Sequence, residues 1–206
     1  MYLHDLNHPG TLALWLSMDG RISIGKMADR FFVLTGGPGS GKTTVIEALH
    51  QAGYAHTAEA GRGIIQDQMA IDGPSLPWRD PMLFAELMLS WDMRSYRAAQ
   101  QTTGPVFFDR GVADLVGYCG LLGLPVPAHF RKAAETFRYN PRAFIAPPWE
   151  QIYRQDRERK QDFAEAVRTY EAIASAYADL GYALVELPKV SVEERARFVL
   201  DATLKH

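Results

Sequence analysis

The residues best suited to chemistry form a glycine-rich segment, Gly36 to Thr43, with the sequence GGPGSGKT. It completes the pattern G-x-x-x-x-G-K-[ST], which is specific for a phosphate-binding loop. Its glycines lack side chains, so the backbone can approach phosphates closely and successive N–H groups can form an anion-binding nest. We expect nucleotide contacts from the whole loop, whose members are Gly36, Gly37, Pro38, Gly39, Ser40, Gly41, Lys42, Thr43 and Thr44.

Lys42 and Thr43 supply the side-chain chemistry that this loop requires. The lysine ammonium can reach the β- and γ-phosphates, and the threonine hydroxyl can bind magnesium. The loop follows an apolar run at 31–34 and precedes a helical pattern at 43–52, so the positive end of a helix also faces the phosphates. The sequence therefore predicts a site for ATP with Mg²⁺.

Asp109 is the second candidate for catalysis, because it ends the apolar run Val106 to Phe108. A carboxylate at the end of a buried strand can orient the magnesium shell or accept a proton during phosphoryl transfer. The alternative is that Asp109 only caps the helix that starts near Val112. Arg110 follows where many motor ATPases have a second carboxylate, which favours transfer to a bound acceptor over hydrolysis. Asp114 is either a further polar contact or part of a solvated helix surface.

Short apolar runs alternate with helical patterns along the chain. This order predicts βαβ units, with helices on both faces of a parallel sheet and a ligand crevice at the carboxyl ends of its strands. The predicted strands cover 31–34, 54–57, 106–108, 143–146 and 183–187, and the main helices cover 43–52, 59–71, 81–101 and 192–203, with another ending near Gly181.

Three segments together resemble a known family. The loop 36–44, the EAGR sequence at 59–62 and the DRG sequence at 109–111 are similar to AAA-type ATP-binding domains related to bacterial nicotinamide-riboside kinase, and more broadly to nucleoside and nucleotide kinases. The resemblance covers about residues 30–190. It implies a P-loop NTPase fold, a three-layer α/β/α sandwich with a five-stranded parallel sheet in the order 2-3-1-4-5. It also implies magnesium-ATP binding and an acceptor pocket that faces the γ-phosphate, but it does not identify the acceptor.

The resemblance places Glu59, Arg62 and Arg110 beside the acceptor. Glu59 would bind a hydroxyl and Arg62 an anionic group. The alternative is a surface ion pair, because Glu59 and Arg62 lie three residues apart on a predicted helix. Trp78 and Phe84 are candidates for stacking on a planar acceptor, although packing is the more common role of such aromatic residues.

Arg154, Arg157 and Arg159 occur within six residues, together with Asp156 and Glu158. We expect this arginine-rich segment to form a lid, with Arg154 and Arg157 as catalytic arginines that neutralise charge during transfer and exclude water. A solvated helix face is the alternative for such alternating charges.

Composition excludes several other classes of function. The net charge is −2 and charged residues make up 22% of the chain, so the basic surface of a nucleic-acid-binding protein is not expected. No apolar run reaches the roughly 18 residues needed to cross a bilayer. The histidines lack zinc-ligand spacing, and the single cysteine, Cys119, fits a reducing cytoplasm.

Residues 1–29 form a separate N-terminal extension before the kinase-like domain at 30–206. We expect an irregular, frayed segment; a small docking segment or hairpin is the alternative. Met18 and Met27 are both possible starts of translation. The run at 11–16 makes a poor secretory signal, because residues 1–10 contain no Lys or Arg.

The leading hypothesis is a kinase that transfers the γ-phosphoryl group of magnesium-ATP to a small-molecule acceptor. An ATPase or nucleotide-dependent switch that acts on a protein partner is the alternative, and a pure nucleotide-binding module ranks last because Lys42, Thr43 and Asp109 are all present. The sequence leaves open the acceptor, the preference for ATP or GTP, the oligomeric state and the pathway.

Overall fold

The chain forms a parallel sheet with helices on both faces, preceded by a short hairpin. A computed structural model describes residues 12–16, 22–153 and 162–204. Strand β1 (Leu12–Leu16) pairs antiparallel with β2 (Ile22–Lys26). The extension therefore contains a hairpin, which was the alternative to the irregular segment that we expected.

Five parallel strands follow in the order β4-β5-β3-β6-β7. They are β3 (Phe31–Gly36), β4 (Ala55–Thr57), β5 (Val106–Asp109), β6 (Arg142–Ala146) and β7 (Ala183–Glu186). Numbered within this sheet, the order is 2-3-1-4-5, so the predicted topology is confirmed. The loop that leaves the central strand β3 thus begins at the middle of the carboxyl edge, where ligands bind in such sheets.

Side chains alternate between the two faces of β3, as the period of a strand requires. Phe31 and Val33 pack on one face with Tyr96 and Tyr177 from the helices. Phe32 and Leu34 pack on the other face, in a cluster that includes helical side chains such as Val45 and Val199. Burial on both faces explains why residues 31–34 of this strand are all apolar.

Seven α-helices are present in the described part of the chain. They are α1 (Lys42–Gln51), α2 (Ala60–Ala70), α3 (Pro81–Ala99), α4 (Val112–Leu121), α5 (Ala128–Thr136), α6 (Phe163–Asp179) and α7 (Val192–Leu204). The sequence patterns predicted these helices to within a few residues, except α5, which was missed. None of the described helices is long and apolar enough to cross a membrane.

A short 3-10 helix, Met27–Arg30, joins the hairpin to β3. Met27 is buried in the core. The Arg30 guanidinium is also buried and donates hydrogen bonds to the carbonyls of Ala99, Gln100 and Gly104, over 3.1 to 3.2 Å. The contacts of the kinase-like domain therefore begin a few residues before position 30.

Candidate active site

The glycine-rich loop joins the end of β3 to the start of α1, as its sequence context predicted. Gly36 has a φ of 128°, and a β-carbon there would collide with the backbone carbonyl of Ala146 on the neighbouring strand. Gly41 has a φ of 77° and caps the N-terminus of α1. Both positions require glycine, because side chains strain this backbone conformation and the first site has no space for one.

Lys42 is the first residue of α1 and is buried against the loop. Its ammonium donates hydrogen bonds to the Gly37 carbonyl at 2.7 Å and to the Ser40 hydroxyl at 3.1 Å. The Ser40 hydroxyl in turn donates to the Gly37 carbonyl at 2.8 Å. The lysine charge is thus held at the centre of the loop, where the oxygens of a phosphate can replace these acceptors.

Thr43 and Asp109 face each other across the start of α1. The Thr43 hydroxyl lies 3.4 Å from Asp109 Oδ2, and Asp109 is 4% exposed at the end of β5. Gly111, not Asp109, is the N-cap residue of α4, so Asp109 does not cap that helix. A hydroxyl and a carboxylate in this arrangement suit Mg²⁺, which takes few protein ligands and completes its shell with phosphate oxygens and water.

Arg110 follows Asp109 with a left-handed backbone, at a φ of 69°. Such a conformation is uncommon for a residue with a side chain and often occurs at functional sites. The guanidinium contacts the Glu59 carboxylate at 3.2 Å and the Asp114 carboxylate at 3.0 Å. Burial alone lowers the pKa of Arg110, but the charges of Glu59, Asp114 and Asp109 outweigh burial and raise that pKa overall. Arg110 therefore remains a cation and holds Glu59 in place.

Asp114 is the centre of a buried polar network, and this excludes the solvated helix surface that we considered for it. Its carboxylate accepts hydrogen bonds from the hydroxyl of Thr35 at 2.5 Å, the hydroxyl of Tyr177 at 2.7 Å and the backbone N–H of Gly111 at 3.0 Å. The network joins β3, α4 and α6, and it fixes the turn that carries Arg110.

A cavity of about 700 Å³ extends from the glycine-rich loop into the space between α2, α3, α4 and α6. Pro38 of the loop lines it, and so do Glu59 and Arg110. The aromatic candidates Trp78 and Phe84 line it as well. Trp78 is 57% exposed, whereas Phe84 is buried and packs edge-on against Tyr118.

Asp92 also lines this cavity and was missed by the sequence analysis. It lies on the buried face of α3, at 8% exposure. Burial is the main cause that raises the pKa of Asp92 well above its ordinary value, and the charge of Asp114 adds to the effect. The signal was present in the sequence, because Asp92 shares helical spacing with the apolar residues Ala85, Leu89, Tyr96 and Ala99.

Arg195 of α7 is the second residue that was missed. Its guanidinium is 2% exposed and donates a hydrogen bond to the Ser40 carbonyl at 3.0 Å, and it lies 6.0 Å from the ring of Trp149. Burial lowers the pKa of Arg195. An arginine thus supports the glycine-rich loop from the last helix, and nothing in the sequence distinguishes it from its neighbour Arg197.

The remaining residues predicted for the site are Glu59, Arg62 and the arginines of the expected lid. The Glu59 carboxylate pairs with Arg110 at 3.2 Å, and the Glu59 side chain is 10% exposed. Arg62 is partly buried on α2 and is not among the residues that line the cavity. Arg154, Arg157 and Arg159 lie outside the described residues, so the lid stays a prediction.

Comparisons with known proteins agree with this geometry. Structural similarity is found to a deoxyadenosine kinase from M. mycoides, with 11% identity, a TM-score of 0.62, and coverage of 84% of this chain and 97% of that chain. A thymidylate kinase from Ehrlichia chaffeensis is also similar, with 12% identity and a TM-score of 0.58. That match covers 84% of this chain and 97% of that chain. NadR protein in complex with NR is similar with 18% identity and a TM-score of 0.67. That match covers 89% of this chain but only 55% of that chain.

These similarities establish that the chain has the fold of the P-loop nucleoside and nucleotide kinases. A comparison with curated proteins finds no match in sequence. The AAA domain family (AAA_28) matches residues 31–195, which include the glycine-rich loop, Asp109, Arg110 and Arg195. The chain therefore belongs to the AAA domain family AAA_28.

Proposed function

We propose that the protein is a kinase that transfers the γ-phosphoryl group of magnesium-ATP to a small nucleoside-like or nucleotide-like acceptor. The observation that carries this proposal is the continuous cavity lined by Pro38 of the glycine-rich loop and by Glu59 and Arg110. An acceptor in that cavity lies next to the loop where the triphosphate binds. The structural similarity to kinases of nucleosides and nucleotides supports the same function.

In the proposed reaction, the glycine-rich loop and Lys42 hold the triphosphate, and Thr43 and Asp109 hold magnesium. When bound there, magnesium neutralises the charge on the β- and γ-phosphates. Arg195 supports the loop through the Ser40 carbonyl. These residues fix the γ-phosphorus in position, which is most of what catalysis of phosphoryl transfer requires.

Glu59 is the proposed base. For a hydroxyl acceptor, the acceptor oxygen forms a bond to the γ-phosphorus while the bond from that phosphorus to the β,γ-bridging oxygen breaks. The bridging oxygen keeps the electron pair and leaves on ADP, and the hydroxyl proton moves to the Glu59 carboxylate. Arg110, which contacts Glu59 at 3.2 Å, keeps that carboxylate oriented. The predicted Arg154 and Arg157 would cover the triphosphate during transfer.

Two substitutions test these assignments. We expect Glu59→Gln to lower kcat by about 10² to 10⁴, which is typical of the loss of a general base, and to leave ATP affinity unchanged. Asp109→Asn is expected to slow transfer by orders of magnitude while ATP affinity is largely kept. The measurements are kcat for the phosphorylated product and ATP affinity by calorimetry. Full activity in both folded variants would contradict the assignment of the site.

A further inference from the structure

The charges in the acceptor cavity restrict what it can bind, provided that the proposed kinase function holds. Arg110 is the single cationic residue among the described residues that line the cavity. Four carboxyl groups line it as well, from Glu59, Asp92, Asp114 and Glu165. A site built for the phosphate of a nucleotide acceptor needs an excess of cationic donors, as guanidinium groups usually provide. Among the described residues that line this cavity, the balance of charge is the opposite.

Arg110 is also engaged by protein carboxylates. It contacts Glu59 at 3.2 Å and Asp114 at 3.0 Å, and its side chain is 18% exposed. A phosphate that took this guanidinium would displace one carboxylate and would leave two anions close together inside the protein. Such like-charge contacts in a partly desolvated site are strongly unfavourable.

Asp92 indicates which kind of ligand group binds in the cavity in place of a phosphate. Asp92 is 8% exposed at the cavity wall, and its carboxyl group makes no hydrogen bond within the described part of the chain. Buried polar groups are almost always hydrogen-bonded, and their desolvation is costly when they are not. A bound ligand can provide the missing partner. When protonated, a carboxyl group can both donate and accept a hydrogen bond.

The wall around Asp92 is apolar and partly aromatic. Phe84 and Tyr118 pack with their rings 6.1 Å apart, and Trp78 lies at the same cavity with 57% of its surface exposed. Ile65 and Met88 complete this region. Such surroundings with a single polar group suit a flat ring that carries one hydrogen-bonding edge.

We propose that the acceptor is a ring-bearing hydroxyl compound without a phosphate group, and that Asp92 determines specificity by hydrogen-bonding the edge of its ring. The acceptor is then of the nucleoside class, and nucleoside monophosphates are excluded. The hydroxyl lies at Glu59, on the side of the glycine-rich loop, and the ring lies among the aromatic residues.

The first test uses the unmodified full chain with magnesium-ATP. The acceptors are nucleosides of each common base, nicotinamide riboside, and the matched 5′-monophosphates, with products identified by mass spectrometry. We expect kcat/KM to be at least about 10² higher for one or more nucleosides than for the matched monophosphate. Efficient transfer to a monophosphate would overturn this inference and leave the kinase function standing. Folded protein that phosphorylates no compound of either class would overturn both.

Substitutions at Asp92 supply the second test. We expect Asp92→Leu to lower kcat/KM for the preferred nucleoside by about tenfold, as for the loss of one hydrogen bond, with the KM for ATP unchanged. Asp92→Asn has a similar shape and still forms hydrogen bonds, so it should retain most of the activity toward the preferred nucleoside. Asp67→Leu, at an exposed position of α2 away from the cavity, is the control. Equal activity of all forms toward every acceptor would refute the role of Asp92.

Discussion

Replacement of Asp92 by Asn should change how the stability of the protein depends on pH. In the folded protein the pKa of Asp92 is raised well above 3.8 because of burial first and the charge of Asp114 second. In the unfolded chain the same carboxyl titrates near 3.8. Between these two pKa values the folded state binds more protons at this site than the unfolded state, so the contribution of Asp92 to stability falls as pH rises.

The size of the effect follows from proton linkage. Each pH unit in that window lowers the free energy of unfolding by about 1.4 kcal/mol through this one group. Asparagine has a similar shape and does not ionise. The difference in stability between Asp92→Asn and the unmodified protein should therefore be small near pH 4 and should grow in favour of the variant at higher pH, until the folded pKa is passed.

Urea unfolding at several pH values between 4 and 8 measures this difference directly, because other titrating groups cancel when the two proteins are compared. Parallel stability curves for Asp92→Asn and the unmodified protein would refute a raised pKa for Asp92 in the folded state.

Three further substitutions test other parts of the site and fold. Lys42→Ala should abolish ATP binding in calorimetry without unfolding the protein, since the lysine ammonium donates hydrogen bonds to the phosphate-binding loop. Retained binding would contradict the loop assignment. Arg195→Lys should weaken ATP binding about tenfold through loss of its bond to the loop, whereas Arg197→Lys, at an exposed position, should not. Gly117→Ala should destabilise the fold by about 1 to 3 kcal/mol in thermal unfolding, because a β-carbon at Gly117 would lie 2.9 Å from the backbone of Ile173. An unchanged Tm would contradict the close packing of α4 on α6.

The parallel sheet could be predicted from the sequence because its strands give clear local signals. Strands 31–36 and 106–109 are buried on both faces, so residues 31–34 and 106–108 form apolar runs. The order of the strands was implied by the resemblance to nucleoside and nucleotide kinases. Helix α5 was missed because it extends over only nine residues, 128–136, and so short a pattern is difficult to distinguish from a loop.

The candidate site could be predicted only in part. Lys42, Thr43 and Asp109 follow from sequence spacing, since each lies at the end of a strand or at the start of a helix. The contacts of Arg110 with Glu59 and Asp114 depend on a left-handed backbone at Arg110, and no local pattern predicts this conformation. Arg195 lies 155 residues after the loop carbonyl that it contacts, so its role depends on how the last helix packs.

The most direct test of the central claim is the ratio of phosphorylated acceptor to ADP, measured by mass spectrometry during turnover of magnesium-ATP with the nucleoside panel. The account predicts one phosphorylated nucleoside for each ADP and the loss of both products in Lys42→Ala. Release of ADP that no acceptor changes, without any phosphorylated product, would contradict the kinase and would favour an ATPase or a nucleotide-dependent switch.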